Sequence, residues 1–264
     1  TIVQVGDTCI GGPEPVVMAG PCSVEDEEQM GSTAKAVKAA GATILRGGAF
    51  KPRTSPYSFR GMGLEGLKLL ELAKQETGLP IITEVMALGD VDTVAKYADI
   101  LQIGARNMQN YNLLDQVGAV DKPVMIKRGM AASYEEWLLA AEYVMAAGNQ
   151  QVMLCERGIR GFEQLTRFTL DVAAIPVIQR LSHLPIIADP SHSTGKWYLV
   201  TPVALASVAA GAHGLLVEVH PNPDQAKCDG AQSLTFDNFE TLMDQVHALS
   251  GVRHSPVGAS QELV

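Results

Sequence analysis

From Val16 onward the chain alternates between two apolar patterns. Short, nearly continuous apolar runs occupy residues 16–20, 43–47, 80–85, 100–104, 123–127, 151–156, 185–188 and 214–219. Runs this short, bounded by turn formers, predict strands buried on both faces. Between them, apolar residues recur at helical spacing, as in Leu64, Leu67, Leu70 and Leu72-Ala73, or Trp137, Leu138, Ala141, Val144 and Met145. Ala40-Gly41, Thr77-Gly78 and Ala147-Gly148 supply the glycine that suits a left-handed helix stop. Eight strand–helix units in about 250 residues predict an α/β fold, a closed (β/α)8 TIM barrel, rather than an open doubly wound sheet. No Gly-x-Gly-x-x-Gly follows a strand, since Gly61-Met62-Gly63 has none before it. Residues 1–15 predict a short N-terminal β-hairpin extension, with Ile2-Val3-Gln4-Val5 as a strand and Gly11-Gly12-Pro13 as a turn. The barrel then spans 16–251, and the polar segment 252–264, punctuated by Gly and Pro, is a loosely ordered tail.

In a barrel, alternate strand residues point inward and the C-terminal rim binds ligands. Counting by twos aligns Met18, Gly20 and Cys22 on the first strand, Ile44 with Arg46 on the second and Ile82 with Glu84 on the third. It then aligns Gln102, Gly104 and Arg106, Met125 with Lys127, Met153 with Cys155 and Arg157, and Leu216 with Glu218 and His220. The opposite parity is mostly aliphatic: Val17, Leu45, Ile81, Ile103, Val124, Ile126, Leu154, Leu215 and Val217. Polar residues therefore share one face and crowd toward the strand ends.

Composition narrows what those ends bind. A net charge of -9 over 264 residues argues against nucleic acid as a partner. No run approaches the roughly 18 to 20 apolar residues needed to cross a bilayer, and the first residues show no cationic segment leading into an apolar one, so no secretory signal is expected. Cys9, Cys22, Cys155 and Cys228 have no paired spacing, which suits a reducing cytoplasm. Cys155 reads as a core residue and Cys9 as incidental.

Two clusters stand at the rim. Arg46, Lys51, Arg53, Arg106, Lys127 and Arg157 gather cations that are costly to bury together without anions, so they imply a ligand with several anionic groups. Two phosphates, or a phosphate and a carboxylate, suit the Arg forks and the compact Lys charges. Cys22, His192, Glu218 and Asp229 offer thiolate, imidazole and carboxylates, a set suited to a divalent transition metal. Taken singly, Cys22 also fits a small core residue and Asp229 a turn former.

Gly20-Pro21-Cys22-Ser23-Val24-Glu25, Lys51-Pro52-Arg53-Thr54-Ser55, Gln102-Ile103-Gly104-Ala105-Arg106, Cys155-Glu156-Arg157-Gly158, Asp189-Pro190-Ser191-His192-Ser193 and Glu218-Val219-His220-Pro221 together resemble the 3-deoxy-D-arabino-heptulosonate 7-phosphate (DAHP) synthases. The resemblance is to their type Iβ group and runs from about Val16 to Leu249. It implies condensation of phosphoenolpyruvate with erythrose 4-phosphate, releasing phosphate, as the first committed step of the shikimate pathway. It implies one divalent ion per subunit (Mn2+, Fe2+, Co2+ or Zn2+) on Cys22, His192, Glu218 and Asp229. Arg46, Lys51, Arg106, Lys127 and Arg157 would hold phosphoenolpyruvate, and Arg53, Thr54 and Ser193 the aldose phosphate, with Ser55, Gly104 and Ala105 also in the substrate site. Lys51, or a water on the metal, would donate the proton to the new alkoxide. A homotetramer follows by the same resemblance. Many relatives carry an added regulatory domain, so the expectation here is a catalytic core insensitive to Phe, Tyr and Trp.

Three alternatives remain from the sequence. The sister synthase of 3-deoxy-D-manno-octulosonate 8-phosphate uses arabinose 5-phosphate on the same barrel. It typically has Lys-Ala-Asn-Arg-Ser-Ser where this chain has Lys51-Pro52-Arg53-Thr54-Ser55. A Schiff-base aldolase would use Lys127 as nucleophile. A silent phospho-ligand binder would lack a metal ligand.

Overall fold

The computed structural model describes residues 1–51, 55 and 57–250. The expected tail at 252–264, Arg53 and Thr54 lie outside the described residues.

Eight parallel strands close into one barrel: β3 (Val16–Gly20), β4 (Ile44–Arg46), β5 (Ile81–Val85), β6 (Ile100–Ile103), β7 (Val124–Lys127), β8 (Val152–Glu156), β9 (Ile186–Ala188) and β10 (Gly214–Glu218). They follow chain order around the ring, and β10 seals it against β3 with Glu218 opposite Gly20. Helices α1 (Glu27–Ala39), α2 (Leu64–Thr77), α3 (Val91–Tyr97), α4 (Tyr111–Gly118), α5 (Tyr134–Ala146), α6 (Ala174–Leu181), α8 (Trp197–Ala209) and α9 (Phe236–Ser250) separate and follow the strands. A short extra helix, α7 (Pro190–Thr194), stands between β9 and α8. Among the described residues no helix is long and apolar enough to cross a membrane.

The two parities of each strand build two cores. Met18, Ile44, Ile82, Ile100, Met125, Met153, Cys155, Ile187 and Leu216 fill the barrel. Val17, Leu45, Ile81, Ile103, Val124, Ile126, Leu154, Leu215 and Val217 pack outward in the larger core with the helices. Packing the interior with bulky apolar side chains makes it a solid floor rather than a pore, so ligand space is left only at the rim.

The N-terminal hairpin pairs β1 (Val3–Val5) with β2 (Thr8–Ile10), and Val3, Val5 and Ile10 join the barrel-interior core. Its turn differs from the sequence expectation. The chain reverses at Gly6-Asp7, where Gly6 takes φ 55, and Gly11-Gly12-Pro13 follows β2 instead. A two-residue hairpin loop needs positive φ to match strand twist, which Gly6 supplies at no steric cost.

Candidate active site

Each group at the rim is aimed by the backbone beneath it. After β3 the chain passes Gly20, whose φ is 152 and where a Cβ would lie 2.0 Å from the Arg46 carbonyl oxygen. That close approach leaves room for no side chain, and it brings Cys22 over the mouth. The polar segment after β9 reads as a loop in the sequence but folds as α7. Asp189 caps it by accepting the His192 backbone N–H at 2.9 Å, Pro190 stands in its first turn, and Gly195 ends it in the left-handed region. Asp229 has φ 51, the one described non-glycine with positive φ, in a loop tied back to the barrel by the Val219–Leu234 bridge.

These supports converge. One ligand atom each from Cys22, His192, Glu218 and Asp229 lie within 4.8 Å of one another, close enough to share a single ion. His192 Nδ1 is committed to Asp189 Oδ2 at 2.7 Å, leaving Nε2 beside Glu218 Oε1 at 3.1 Å. Carboxylate-oriented imidazole is a recurrent arrangement around metal ligands. The donor set therefore fits a divalent ion of intermediate softness.

The electrostatics agree with a compact site of opposed charges. Burial works against a charge on His192, but the Asp189 and Glu218 carboxylates outweigh it and raise its pKa to about 9. Burial likewise opposes ionised Glu218, and His192 and Arg46 overcome this to hold it well below the ordinary carboxylate range. The Cys22 thiol is pushed well up by its contact with Cys228, by burial and by Glu218, with Lys51 opposing. Its Sγ lies 3.1 Å from Cys228 Sγ and 3.0 Å from Lys51 Nζ.

Beside this group opens a cavity of about 320 Å3. Lys51, Arg106, Lys127, Arg157 and Arg167 supply its cations, Ser55, Ser58 and Glu84 its polar wall, and Gly104-Ala105 a stretch of backbone. His192 and Asp229 face it too, so the cavity and the four-ligand group share a wall. Arg157 stacks on Phe168 at 4.3 Å, yet its buried Nη1 has no hydrogen-bond partner among the described residues. Burial, with Arg167 and Arg106 nearby, pulls its pKa down despite Asp189. An unpaired buried guanidinium on a cavity wall is a site awaiting an anion.

Most of the sequence expectations meet here: Lys51, Ser55, Gly104, Ala105, Arg106, Lys127 and Arg157 all line the cavity. Two do not. Arg46 lies beneath the cavity, its Nη1 on Glu218 Oε1 at 2.9 Å and on the Pro21 carbonyl at 2.8 Å. Ser193 is fully buried and donates to the Pro190 carbonyl at 3.0 Å, because one helical step turns it away from the face that His192 presents. Cys155 is a core residue, as expected, and Cys9 is exposed on the hairpin.

The sequence alone gives no role to Arg167, Glu84, Asp189, Gln232 or Cys228. Glu84 and Asp189 carried a signal, by strand parity and by their place at the end of an apolar run. Arg167 carried none.

The DAHP synthetase I family model matches residues 1–252. A phospho-2-dehydro-3-deoxyheptonate aldolase of Thermotoga maritima is 50% identical over 250 residues, covering 95% of this chain and 74% of that protein. The crystal structure of phospho-2-dehydro-3-deoxyheptonate aldolase (DAHP synthase) from Thermotoga maritima superposes with a TM-score of 0.93 at 49% identity, covering 96% of this chain and 74% of that one. A truncated form of the Thermotoga maritima synthase gives 0.90 at 46% identity, with 96% and 92% covered. A 2-dehydro-3-deoxyphosphooctonate aldolase of Syntrophotalea carbinolica is more distant, 33% identical over 270 residues, covering 95% of this chain and 96% of that protein. With half its residues shared along nearly its whole length, this chain belongs to the DAHP synthetase I family.

Proposed function

We infer that this transferase condenses phosphoenolpyruvate with erythrose 4-phosphate and water to give DAHP and inorganic phosphate, at the rim where the four-ligand group meets the cationic cavity. The observation that carries the assignment is their shared wall, with the buried Arg157 Nη1 beside it unpaired among the described residues. Two polyanionic substrates must be held against each other, and fixed cations do this without reorganising during the reaction.

In the reaction, C3 of the enol forms a bond to the aldehyde carbon of the aldose, water adds at C2, and the phosphate leaves with its bridging oxygen. A divalent ion (Mn2+, Fe2+, Co2+ or Zn2+) held by Cys22, His192, Glu218 and Asp229 would supply Lewis acidity toward the aldehyde oxygen. Arg106, Lys127 and Arg157 neutralise the phosphate and carboxylate of the enol substrate, and Gly104-Ala105 brings backbone to the same wall. Lys51 Nζ is anchored by the Cys22 carbonyl and Sγ, each at 3.0 Å. Burial disfavours its charge, but Cys22 and Cys228 outweigh that and raise its pKa. It stays charged until an acceptor as basic as a nascent alkoxide takes its proton. Glu84, the described carboxylate on the cavity wall outside the ligand group, is suited to orient the water that adds at C2.

Lys127 as a Schiff-base nucleophile is disfavoured, because its Nζ is held by buried Asp189 at 2.6 Å and a nucleophilic amine must be neutral. A reducing cytoplasm suits sulfurs 3.1 Å apart that would otherwise pair and remove a ligand. Assembly as a homotetramer is part of the same proposal, and light scattering on the purified chain reads it.

The test is turnover by the purified chain, following loss of the enol substrate and release of phosphate. Chelation should abolish activity and a divalent ion restore it, with erythrose 4-phosphate preferred. Turnover that survives chelation, or that is faster with arabinose 5-phosphate, would overturn the assignment.

A further inference from the structure

The steps above employ Lys127 and His192 but not the carboxylate between them. Asp189 is fully buried. Its Oδ2 lies 2.6 Å from Lys127 Nζ and 2.7 Å from His192 Nδ1, while Oδ1 accepts the His192 backbone N–H at 2.9 Å. Its own N–H donates to the Glu156 carbonyl at 2.8 Å, which fixes it to β8. One oxygen thus serves two groups with different tasks, a cation on the cavity wall and an imidazole of the four-ligand group.

We propose that Asp189 is a positioning residue through which anion binding in the cavity and metal binding at the four-ligand group are energetically coupled. The coupling presupposes the assignment above, in which Lys127 holds phosphoenolpyruvate and His192 a divalent ion.

The physical route is short. With the cavity empty, the Lys127 ammonium draws on the oxygen that also accepts from His192 Nδ1. An anion seated on Lys127 divides that cation's attraction, and the carboxylate holds the Nδ1–H more strongly. A more strongly held Nδ1–H makes Nε2 a better donor to a metal. Coupling of this kind is reciprocal, so a bound ion must tighten the enol substrate by the same factor. A carboxylate that merely capped α7 would give no such link.

The test measures metal affinity of the whole chain by competition with a chromophoric chelator, with and without saturating phosphoenolpyruvate and with no aldose present. In the wild-type chain phosphoenolpyruvate should tighten the ion by about 5- to 50-fold. Asp189→Asn keeps the shape but not the charge. It should weaken the ion by about 10- to 100-fold, and phosphoenolpyruvate should then change metal affinity by no more than about twofold. Direct attraction between bound anion and ion would survive this substitution, so an undiminished ratio in Asp189→Asn overturns the proposal. Should that variant fail to fold, Lys127→Met serves, with substrate occupancy followed by calorimetry. It should bind the ion without substrate at least as tightly as wild type and gain little from substrate; an unchanged gain overturns the proposal. A wild-type chain that binds both ligands independently overturns the coupling alone. One that binds neither defeats the functional assignment instead.

Discussion

Arg46 Nη1 lies 2.9 Å from Glu218 Oε1, and both side chains are buried. Glu218 also accepts from Gln232 Nε2 at 2.6 Å and stands beside His192 Nε2, so Arg46 is one of three groups that fix its carboxylate. The pair joins β4 to β10 across β3, at the seam where the barrel closes. A buried pair of this kind adds little over an apolar replacement, but breaking it leaves an uncompensated charge. Arg46→Met should therefore cost about 3 to 5 kcal/mol in urea unfolding. Arg46→Met with Glu218→Gln should cost less than the sum of the two single changes. Additive costs would show that the contact is not energetically coupled.

The His192 shift gives a pH dependence with a definite sign. Its pKa in the metal-free chain is raised from 6.5 to about 9. The stability it contributes is present in full below the unfolded value and is lost as pH rises through about 9, roughly 3 kcal/mol at most. Glu218 works in the opposite sense, its contribution present above the ordinary carboxylate value and lost in acid. Urea midpoints of the metal-free chain should fall between pH 7 and 9.5. Because a metal-ligating imidazole must be neutral, affinity for the ion should rise over the same window. A metal-free stability that climbs through that range contradicts the charge state assigned to His192.

Arg157 should show function opposed to stability. Its buried Nη1 has no partner among the described residues, and its charge is disfavoured by burial and by its cationic neighbours. Arg157→Met removes that cost from the ligand-free chain and should raise Tm by about 2 to 4 °C, the shift expected for roughly 1 kcal/mol. The same change should raise the KM for phosphoenolpyruvate by about 100-fold. A lowered Tm would mean that stacking on Phe168 outweighs the unpaired charge.

The difference between what the sequence made legible and what it hid follows from how each side chain is aimed. Lys127 ends a strand and Arg157 stands one residue past one on the inward parity, so chain position fixes direction, whereas Arg106 reaches the cavity from a single helical turn at 105–107 after β6. That is why the barrel, and with it Lys127 and Arg157 on the cation wall, is legible from chain position. Arg46 obeyed the parity yet missed the cavity, because Glu218, two strands away, intercepts it. Ser193 lies off the cavity because 190–194 is a helix, where neighbours diverge by about 100° rather than lining one loop face. Arg167 was invisible for a different reason. It lies in a stretch without periodicity, positioned by its backbone N–H on the Thr194 carbonyl at 3.0 Å and by the Ile159–Thr169 bridge. Such contacts exist only after the fold has formed.

Gly104 is constrained by the Glu84 side chain on the neighbouring strand. A Cβ there would lie 2.1 Å from Glu84 Oε1. Gly104→Ala should therefore push the Glu84 carboxylate aside while leaving the barrel folded, since the obstruction is a side-chain end rather than backbone. We expect kcat to fall by about 100-fold, the lower end of what a positioned acid–base group contributes. Glu84→Gln should lower kcat comparably, and adding Gly104→Ala to it should cost little more. If the two changes multiply, Gly104 acts on something other than Glu84.

Arg167 provides the most direct test of how the four-ligand group is held in register with the cavity. Its Nη1 donates to Gln232 Oε1 at 3.1 Å and lies 3.5 Å from Asp229 Oδ2, while Gln232 donates onward to Glu218 at 2.6 Å. One guanidinium on the cavity wall thus orients two acidic ligands, one directly and one through an amide. The side chain is 35% exposed, so screening limits its share of stability, and Arg167→Met should shift unfolding by less than about 1 kcal/mol. Metal affinity should weaken by about tenfold, because the ligands lose their outer support. Arg167→Lys should recover only part of this, since an ammonium lacks the planar fork that spans Gln232 and Asp229. Paired measurements separate this role from anion binding: a raised KM for phosphoenolpyruvate with unaltered metal affinity would place Arg167 among the substrate cations instead.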